Sequence, residues 1–273
     1  MTNILPESRR AEGIAYWGLS TIAAIAVAPT LGFWVFQFGW RALCLESAAL
    51  NVLMAIIAWR LPPQTIAPAP ATGRPGRMIE WRVLILSFTL FLYSFGYGGI
   101  TSFTALYADA NGVTPKGIYL TALALTMLLT RPLSGRLGDR LGYRRVFLPC
   151  LVLITIGLAC LAVGGTRFWL VTSAIIFGAG FGTAYPVFAS YVMRHVGPDR
   201  RGAAFGAILA CFDTGIGTGS TSMGWLINHY GYPRAFGVAA ALSALAIPYF
   251  LGADRWLRRR GSPVEATDST APV

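Results

Sequence analysis

The sequence predicts an all-α fold, a polytopic membrane protein with about eight transmembrane helices. Three observations carry that expectation. Of the 273 residues, 55% are hydrophobic and only 12% are charged, against roughly 25% charged in a soluble domain. Apolar runs of about 20 residues, long enough to cross a bilayer core as a helix, recur along the whole chain. The basic residues stand in short clusters between those runs. Lipid offers no partner to backbone polar groups, so each run must be helical or be shielded by protein. The mean hydropathy of +0.58 agrees.

The spans follow in order from the runs and their basic boundaries. The first, 13–36, opens after Arg9 and Arg10 and closes at a turn containing Gly39 and Arg41; Pro29 is expected to bend it. The second, 42–59, lies between Arg41 and Arg60. Residues 61–81 hold Pro62, Pro63, Pro68, Pro70 and Pro75 and read as a flexible cytoplasmic linker. Within residues 82–256 six more spans follow, at 83–107, 117–133, 146–163, 168–193, 203–227 and 235–251. Pro186 and Pro248 are expected to bend their helices or free backbone groups locally. Residues 257–273 read as a disordered cytoplasmic tail.

Orientation follows from arginine placement. A cytoplasmic N-terminus puts Arg9, Arg10, Arg60, Arg74, Arg77, Arg82, Arg136, Arg140, Arg144, Arg145, Arg194, Arg200, Arg201 and the cluster from Arg255 to Arg260 inside. Only Arg41, Lys116, Arg167 and Arg234 then fall outside. The positive-inside rule therefore places both termini in the cytoplasm. Residues 1–10 are polar and lead into no short apolar core with a cleavage site, so no cleavable signal peptide is expected.

The net charge of +11 comes from these clusters, and no basic stripe interleaved with aromatics forms a nucleic-acid surface. Cys44, Cys150, Cys160 and Cys211 lie in or beside apolar spans without C-x-x-C spacing and read as packing residues. His195 and His229 sit at span ends as loop residues. No H-E-x-x-H, G-x-S-x-G or phosphate-binding loop occurs. Two histidines and one lysine give acid–base chemistry little to use. Neither an enzyme, a cofactor nor a metal site is expected.

Residues 135–145 read G-R-L-G-D-R-L-G-Y-R-R, an arginine-rich, glycine-broken turn between two spans. This resembles the G-x-L-A-D-R-x-G-R-R/K loop of the major facilitator superfamily of secondary transporters, which lies between the second and third helices of each six-helix half. Gly135, Leu137, Asp139, Arg140, Gly142 and Arg144 carry the match, while Tyr143 stands where arginine is usual. The run from Ala26 to Gly32 is similar to the G-P-x-x-G element of the fifth helix in efflux-type members. Pro29 and Gly32 match there, and Ala28 replaces the usual glycine. Phe212-Asp213-x-Gly215-x-Gly217 and Thr130-Arg131-Pro132-Leu133-x-Gly135 look like the bacterial arabinose-efflux or drug-efflux branch. The resemblance runs from Glu7 to about Leu251. It implies a proton-coupled efflux permease of small molecules in the bacterial cytoplasmic (inner) membrane, with an antiport mechanism and the lipid bilayer as surroundings.

An internal repeat fixes the register of that resemblance. Arg9-Arg10-Ala-Glu-Gly-Ile-Ala and Arg200-Arg201-Gly-Ala-Ala-Phe-Gly each open a span that ends in a related turn. Their separation of about 190 residues approximates one six-helix unit of such transporters. On this register residues 1–60 correspond to family helices 5 and 6, and residues 82–256 to a complete C-terminal bundle. Family helices 1–4 are then missing, and the chain is expected to be inactive alone. The alternative is a helical membrane remnant with a structural or interaction role, or none.

Candidate site residues follow from charge and depth. Asp213 lies about 16 Å into its span at 1.5 Å per residue, near the midplane of a core about 30 Å thick. It is either a proton-coupling carboxyl or a hydrogen-bonding residue in a tight helix contact, which Gly215, Gly217 and Gly219 would permit. Asp139 is either a local salt bridge or a conformational latch against the start of the first span, near residues 10–14. Arg131 either positions the loop or pairs with a carboxylate, and Glu46 is an interfacial charge. Tyr93, Tyr97, Ser102 and Tyr185 either line a substrate path or pack helices. The pairs Gly178 and Gly182, Gly202 and Gly206, and Gly215 and Gly219 allow close helix approach.

The topology is checked by cysteine labelling in a cysteine-free background. Arg145→Cys should react with an impermeant thiol reagent only after the cytoplasmic face is opened, and Lys116→Cys from outside; labelling of Arg145→Cys on intact cells would invert the assignment.

Overall fold

A computed structural model of the chain describes residues 24, 27–28, 31–32, 34–60, 81–194, 196 and 200–259, without the side chains of 131–141, 194, 201 and 257–259. The chain divides into two compact units, Met1–Gly76 and Arg77–Val273. All regular structure among the described residues is helical.

The first unit contains α1, Trp40–Trp59, none of whose residues is buried. Leu45, Leu50, Met54 and Ile57 are all exposed, so this apolar helix has its side chains toward lipid or a partner. Most of the expected span 13–36, Pro29 included, lies outside the described residues. Its described end, 34–36, is helical, and a Cβ on Gly32 would meet nothing within 4 Å.

The second unit contains α2 (Trp81–Ala110), α3 (Ile118–Leu141), α4 (Tyr143–Val163), α5 (Arg167–Arg194) and α6 (Arg201–Arg259). Helices α1, α2, α4, α5 and α6 are long and apolar enough to cross a membrane, and α3 carries a shorter apolar stretch, Ile118–Thr130. The apolar part of α6, Gly202–Trp256, is 55 residues long, about 80 Å at 1.5 Å per residue and more than twice a 30 Å core. It is not one helix. Gly231 interrupts it at φ 79 and ψ 168, a backbone state that glycine adopts without steric cost. Two arms result, 201–230 and 232–259, and the unit makes six passes.

One expectation needs correction. Residues 135–145 do not form an open turn: α3 remains helical to Leu141, Gly142 alone reverses the chain at φ +84, and α4 starts at Tyr143. After Pro132 the stretch has no proline, so its leucines and arginines keep the helix going until one left-handed glycine ends it. Pro149, Pro186 and Pro248 sit inside their helices, and the non-helical dihedrals within α6 occur at Gly231, in the turn expected between 203–227 and 235–251.

Helix α2 sits at the centre of the unit, with residues 92–100 buried. Against it the first arm of α6 packs backbone to backbone. A Cβ on Gly98 would lie 2.1 Å from the Ile216 carbonyl oxygen, and one on Gly219 would lie 2.1 Å from that of Phe95. Gly215 makes the same kind of approach to Phe91 and Ser94. Polar ties reinforce the packing: Ser94 Oγ donates to the Phe212 carbonyl at 2.9 Å and Ser220 Oγ to that of Gly98 at 3.2 Å, while from the second arm Tyr249 Oη donates to the Ile85 carbonyl at 2.8 Å. On the other side Gly178 and Gly182 of α5 meet α3, while Gly157 of α4 meets the Phe177 backbone. Gly202 and Gly206 meet nothing within 4 Å.

Gly98→Ala places a methyl group against main-chain atoms that cannot rotate aside. It should destabilise the detergent-solubilised protein by about 1–3 kcal/mol, the usual cost of overpacking. Gly217→Ala, with nothing within 4 Å, should leave the melting temperature unchanged or raise it; equal losses at both positions would refute the contact.

Candidate functional site

Both arms of α6 expose apolar residues, Phe205, Leu209 and Trp225 among them on the first, and the first arm adds polar ones. On the second arm the exposed positions include Val238, Ala241, Leu245 and Pro248, a surface compatible with hydrocarbon. On the first arm they include Asp213, Thr214, Thr218, Thr221 and Ser222. These recur at helical spacing, so they form one polar stripe, bounded by the exposed Leu209 and Trp225. Thr218 and Thr221 donate to carbonyls one turn back, at 2.7 and 3.1 Å, which lowers the cost of leaving them unpartnered. Asp213 has no such outlet: it makes no hydrogen bond or ion pair among the described residues and is exposed.

Asp213 also stands away from the tight helix contact. Gly215 and Gly219 press on α2, while Gly217, one turn beyond Asp213 on its own face, meets nothing within 4 Å. The carboxyl is about 18 Å along the arm from Arg201 at 1.5 Å per residue. Its sequence neighbour Phe212 points the other way, with its ring 6.4 Å from Tyr93, 5.9 Å from Phe181 and 5.0 Å from Tyr185.

Three of the substrate-path candidates meet in that aromatic cluster. Tyr97 stacks on Phe181 at 4.2 Å, and Tyr93 meets the same ring edge-on at 5.8 Å. Tyr93 is fully buried and Tyr97 nearly so, both packed between α2 and α5. Tyr185 is half-buried. Ser102 is exposed, with its hydroxyl donating to Ser220 Oγ at 3.1 Å.

A second cluster forms at the end of the unit where α4 begins and α5 and α6 finish. Arg144, the second residue of α4, reaches Asp254 of the last helical turns, with Nε 3.3 Å from Oδ2. Asp254 is only 2% exposed, and it accepts a short hydrogen bond from Tyr191 Oη near the end of α5. One buried carboxylate thus holds three helix ends. The one-residue turn at Gly142 sets this up, because it delivers Arg144 into the first turn of α4 and not into a loop. The side chains of Arg131, Gly135, Leu137, Asp139 and Arg140 lie outside the described residues, so of the latch candidates only Gly142 and Arg144 are described. Glu46 is half-buried, about 9 Å into α1 at 1.5 Å per residue.

A family model described as Major Facilitator Superfamily matches residues 86–272. The chain belongs to the Major Facilitator Superfamily. Relatives within it include "Uncharacterized MFS-type transporter YhhS" of Escherichia coli O6:H1, 26% identical over 259 residues that cover 94% of this chain and 62% of that protein. YhhS of Salmonella typhi is 26% identical over 235 residues, covering 86% and 58%. The chain spans about three-fifths of the length of these curated relatives. Among solved structures, the nucleoside transporter NupG superposes with a TM-score of 0.63 at 19% identity, covering 91% of this chain and 69% of that one. A POT family transporter in complex with 5-aminolevulinic acid gives 0.59 at 23% identity, covering 70% and 41%. These likenesses concern the fold. As a superfamily member the chain is a multi-pass membrane protein and not an enzyme.

Sequence reasoning missed Asp254 and Tyr191. The signal was present: with only 11 acidic residues in the chain, an aspartate embedded in the end of an apolar span needs a cation nearby. It also missed the stripe around Asp213, whose polar residues recur every three to four positions through an apolar run.

Arg144→Ala and Asp254→Ala should each lower stability by about 1–3 kcal/mol, below the cost of breaking a fully buried pair because the guanidinium is partly solvated. The double variant should lose clearly less than their sum in a double-mutant cycle. Additive losses would show that the two side chains do not act as a pair.

Proposed function

We propose that this chain is part of a proton-coupled secondary transporter that exports small molecules across the bacterial inner membrane. The observation that carries the reading is Asp213, exposed at membrane depth on a polar stripe and unpaired among the described residues. A carboxylate near the bilayer centre costs roughly 2.5–3.5 kcal/mol on insertion scales, so such groups face a bundle interior or an aqueous path. The first arm of α6 therefore turns its Asp213 stripe toward the other half of the transporter, not toward lipid. A carboxyl in that position takes up a proton when the path is open on one side and releases it on the other, which couples export to the proton gradient.

The arginine-rich end is the cytoplasmic one in this proposal, with both termini inside and residues 61–81 tethering the halves. The ion pair of Arg144 with Asp254 holds the ends of α4, α5 and α6 as one body. Gly135, Leu137, Asp139, Arg140 and Gly142 form the adjoining latch, with Asp139 favoured at the start of a facing helix. Such a body can rock as a unit against its partner half around a midplane site. Ser102 and Tyr185 are the substrate-path candidates that retain access to open space; Tyr93 and Tyr97 support them from behind.

The test uses proteoliposomes and two proteins. The 273-residue chain alone should show no saturable flux, since one six-helix unit supplies one side of a rocking site. The chain joined to the first four helices of a YhhS relative should show proton-driven flux of that relative's substrate. Asp213→Asn in the joined protein should reduce proton-driven flux to the level of empty vesicles, while exchange of substrate across the membrane persists. Unchanged proton-driven flux in Asp213→Asn would overturn the coupling role.

A further inference from the structure

At the arginine-rich end of the second unit, an open groove of about 390 Å³ lies between α2 and the second arm of α6. Ile85, Pro248, Tyr249, Gly252, Ala253 and Trp256 line it. Its walls are almost wholly hydrocarbon. The hydroxyl on its lining, that of Tyr249, is already committed to the Ile85 carbonyl at 2.8 Å. A polar metabolite would find nothing to bind there, whereas an alkyl chain would.

The rim of the groove is different. Arg82 lies one helical turn before Ile85, on the same face of α2, and Arg255 lies beside the lining residue Trp256. Both arginines are exposed. The ion pairs among the described residues, Lys116 with Asp109 and Arg144 with Asp254, engage neither of them. Trp81 and Trp256, 59% and 40% exposed, flank the same end, in the position that tryptophan takes at a membrane–water boundary. Two exposed guanidiniums at the same end of these helices as an apolar groove match an amphiphile with an anionic phosphate head and an alkyl tail.

We infer that this groove is a binding site for one anionic phospholipid, its acyl chain lying along Pro248, Gly252 and Ala253 and its phosphate held by Arg82 and Arg255. Basic pockets between membrane helices bind acidic headgroups through the same charge complementarity. The inference needs only that the helices cross a bilayer; it does not depend on proton coupling, on a transport direction or on the latch. Its occupant would tie the start of α2 to the end of α6, two elements otherwise joined here by the Tyr249 hydrogen bond and by the contact of Phe88 with Tyr249, whose ring centroids are 5.2 Å apart.

The experiment is native mass spectrometry of the purified 273-residue chain with equal amounts of phosphatidylglycerol and phosphatidylcholine. The wild-type chain should retain phosphatidylglycerol preferentially. Arg82→Gln combined with Arg255→Gln should lower that preference about tenfold, which corresponds to ~1.4 kcal/mol. Gly252→Leu, at a position where a Cβ meets nothing within 4 Å, should fill the groove and reduce retention of both lipids. Arg234→Gln, at the opposite end of α6's second arm, should change nothing. Excess inorganic phosphate should leave the phosphatidylglycerol adduct intact; its displacement would mark a free-anion site and overturn the lipid. Equal retention of the two lipids by the wild type, or a preference that survives the double arginine variant, would overturn the headgroup site. Adducts unaffected by Gly252→Leu would overturn the groove as the seat of the acyl chain. The arginines are exposed and distant from the Gly98 contact, so the charge variant remains decisive even if the groove variant does not fold.

Discussion

The backbone contact between α2 and the first arm of α6 is the constraint on which the second unit rests. Helices in lipid gain little by hiding apolar side chains from one another, because hydrocarbon solvates them equally well. What holds them is close van der Waals contact and hydrogen bonds that lipid cannot make. Gly98, Gly215 and Gly219 bring the two main chains near enough for both, and Ser94 and Ser220 then donate across to carbonyls that approach makes reachable. That contact also fixes the rotation of the first arm of α6. With its glycines turned to α2 and Phe212 turned into the aromatic cluster, Asp213 is left on the outer side. The exposure of the carboxyl is thus a consequence of where the glycines are.

Much of this architecture was legible in the sequence, because bilayer thickness imposes a length and a composition on every crossing. The six passes of the second unit and the glycine pairs at 178 and 182 and at 215 and 219 follow from runs and spacing alone. What escaped was anything decided by a single residue or by distance in space. Gly142 could end a helix or sit within a loop, and the loop motif suggested more irregular backbone than one left-handed residue requires. Gly231, by contrast, falls in the turn expected between the runs 203–227 and 235–251, and it breaks α6 there because a left-handed glycine cannot continue a helix. Asp254 meets Arg144 across 110 positions, and no periodicity reports such a pairing. Tyr93 and Tyr97 share the polarity expected of a path lining, and only distance in space shows that both rings pack on Phe181.

The two carboxylates of α6 show how surroundings separate equal chemistries. Asp254 is buried, hydrogen-bonded by Tyr191 and paired with Arg144, so its charge is compensated within its own unit. Asp213 has neither partner among the described residues and stands on a face rich in threonine. One acts as cement between helix ends; the other is left available to whatever approaches that face.

The single-residue reversals at Gly142 and Gly231 bear on how the chain can change over time. Connections elsewhere in the unit, such as residues 111–117 between α2 and α3, have several residues to spare and can absorb added length. At Gly142 and Gly231 the helices follow one another with no slack. An added residue there would rotate the next helix by about 100° at 3.6 residues per turn, moving Arg144 off Asp254 in one case and turning the lipid-facing side of the last arm inward in the other. Divergence in length among descendants of this chain should therefore collect at the roomy connections and leave these two junctions unaltered.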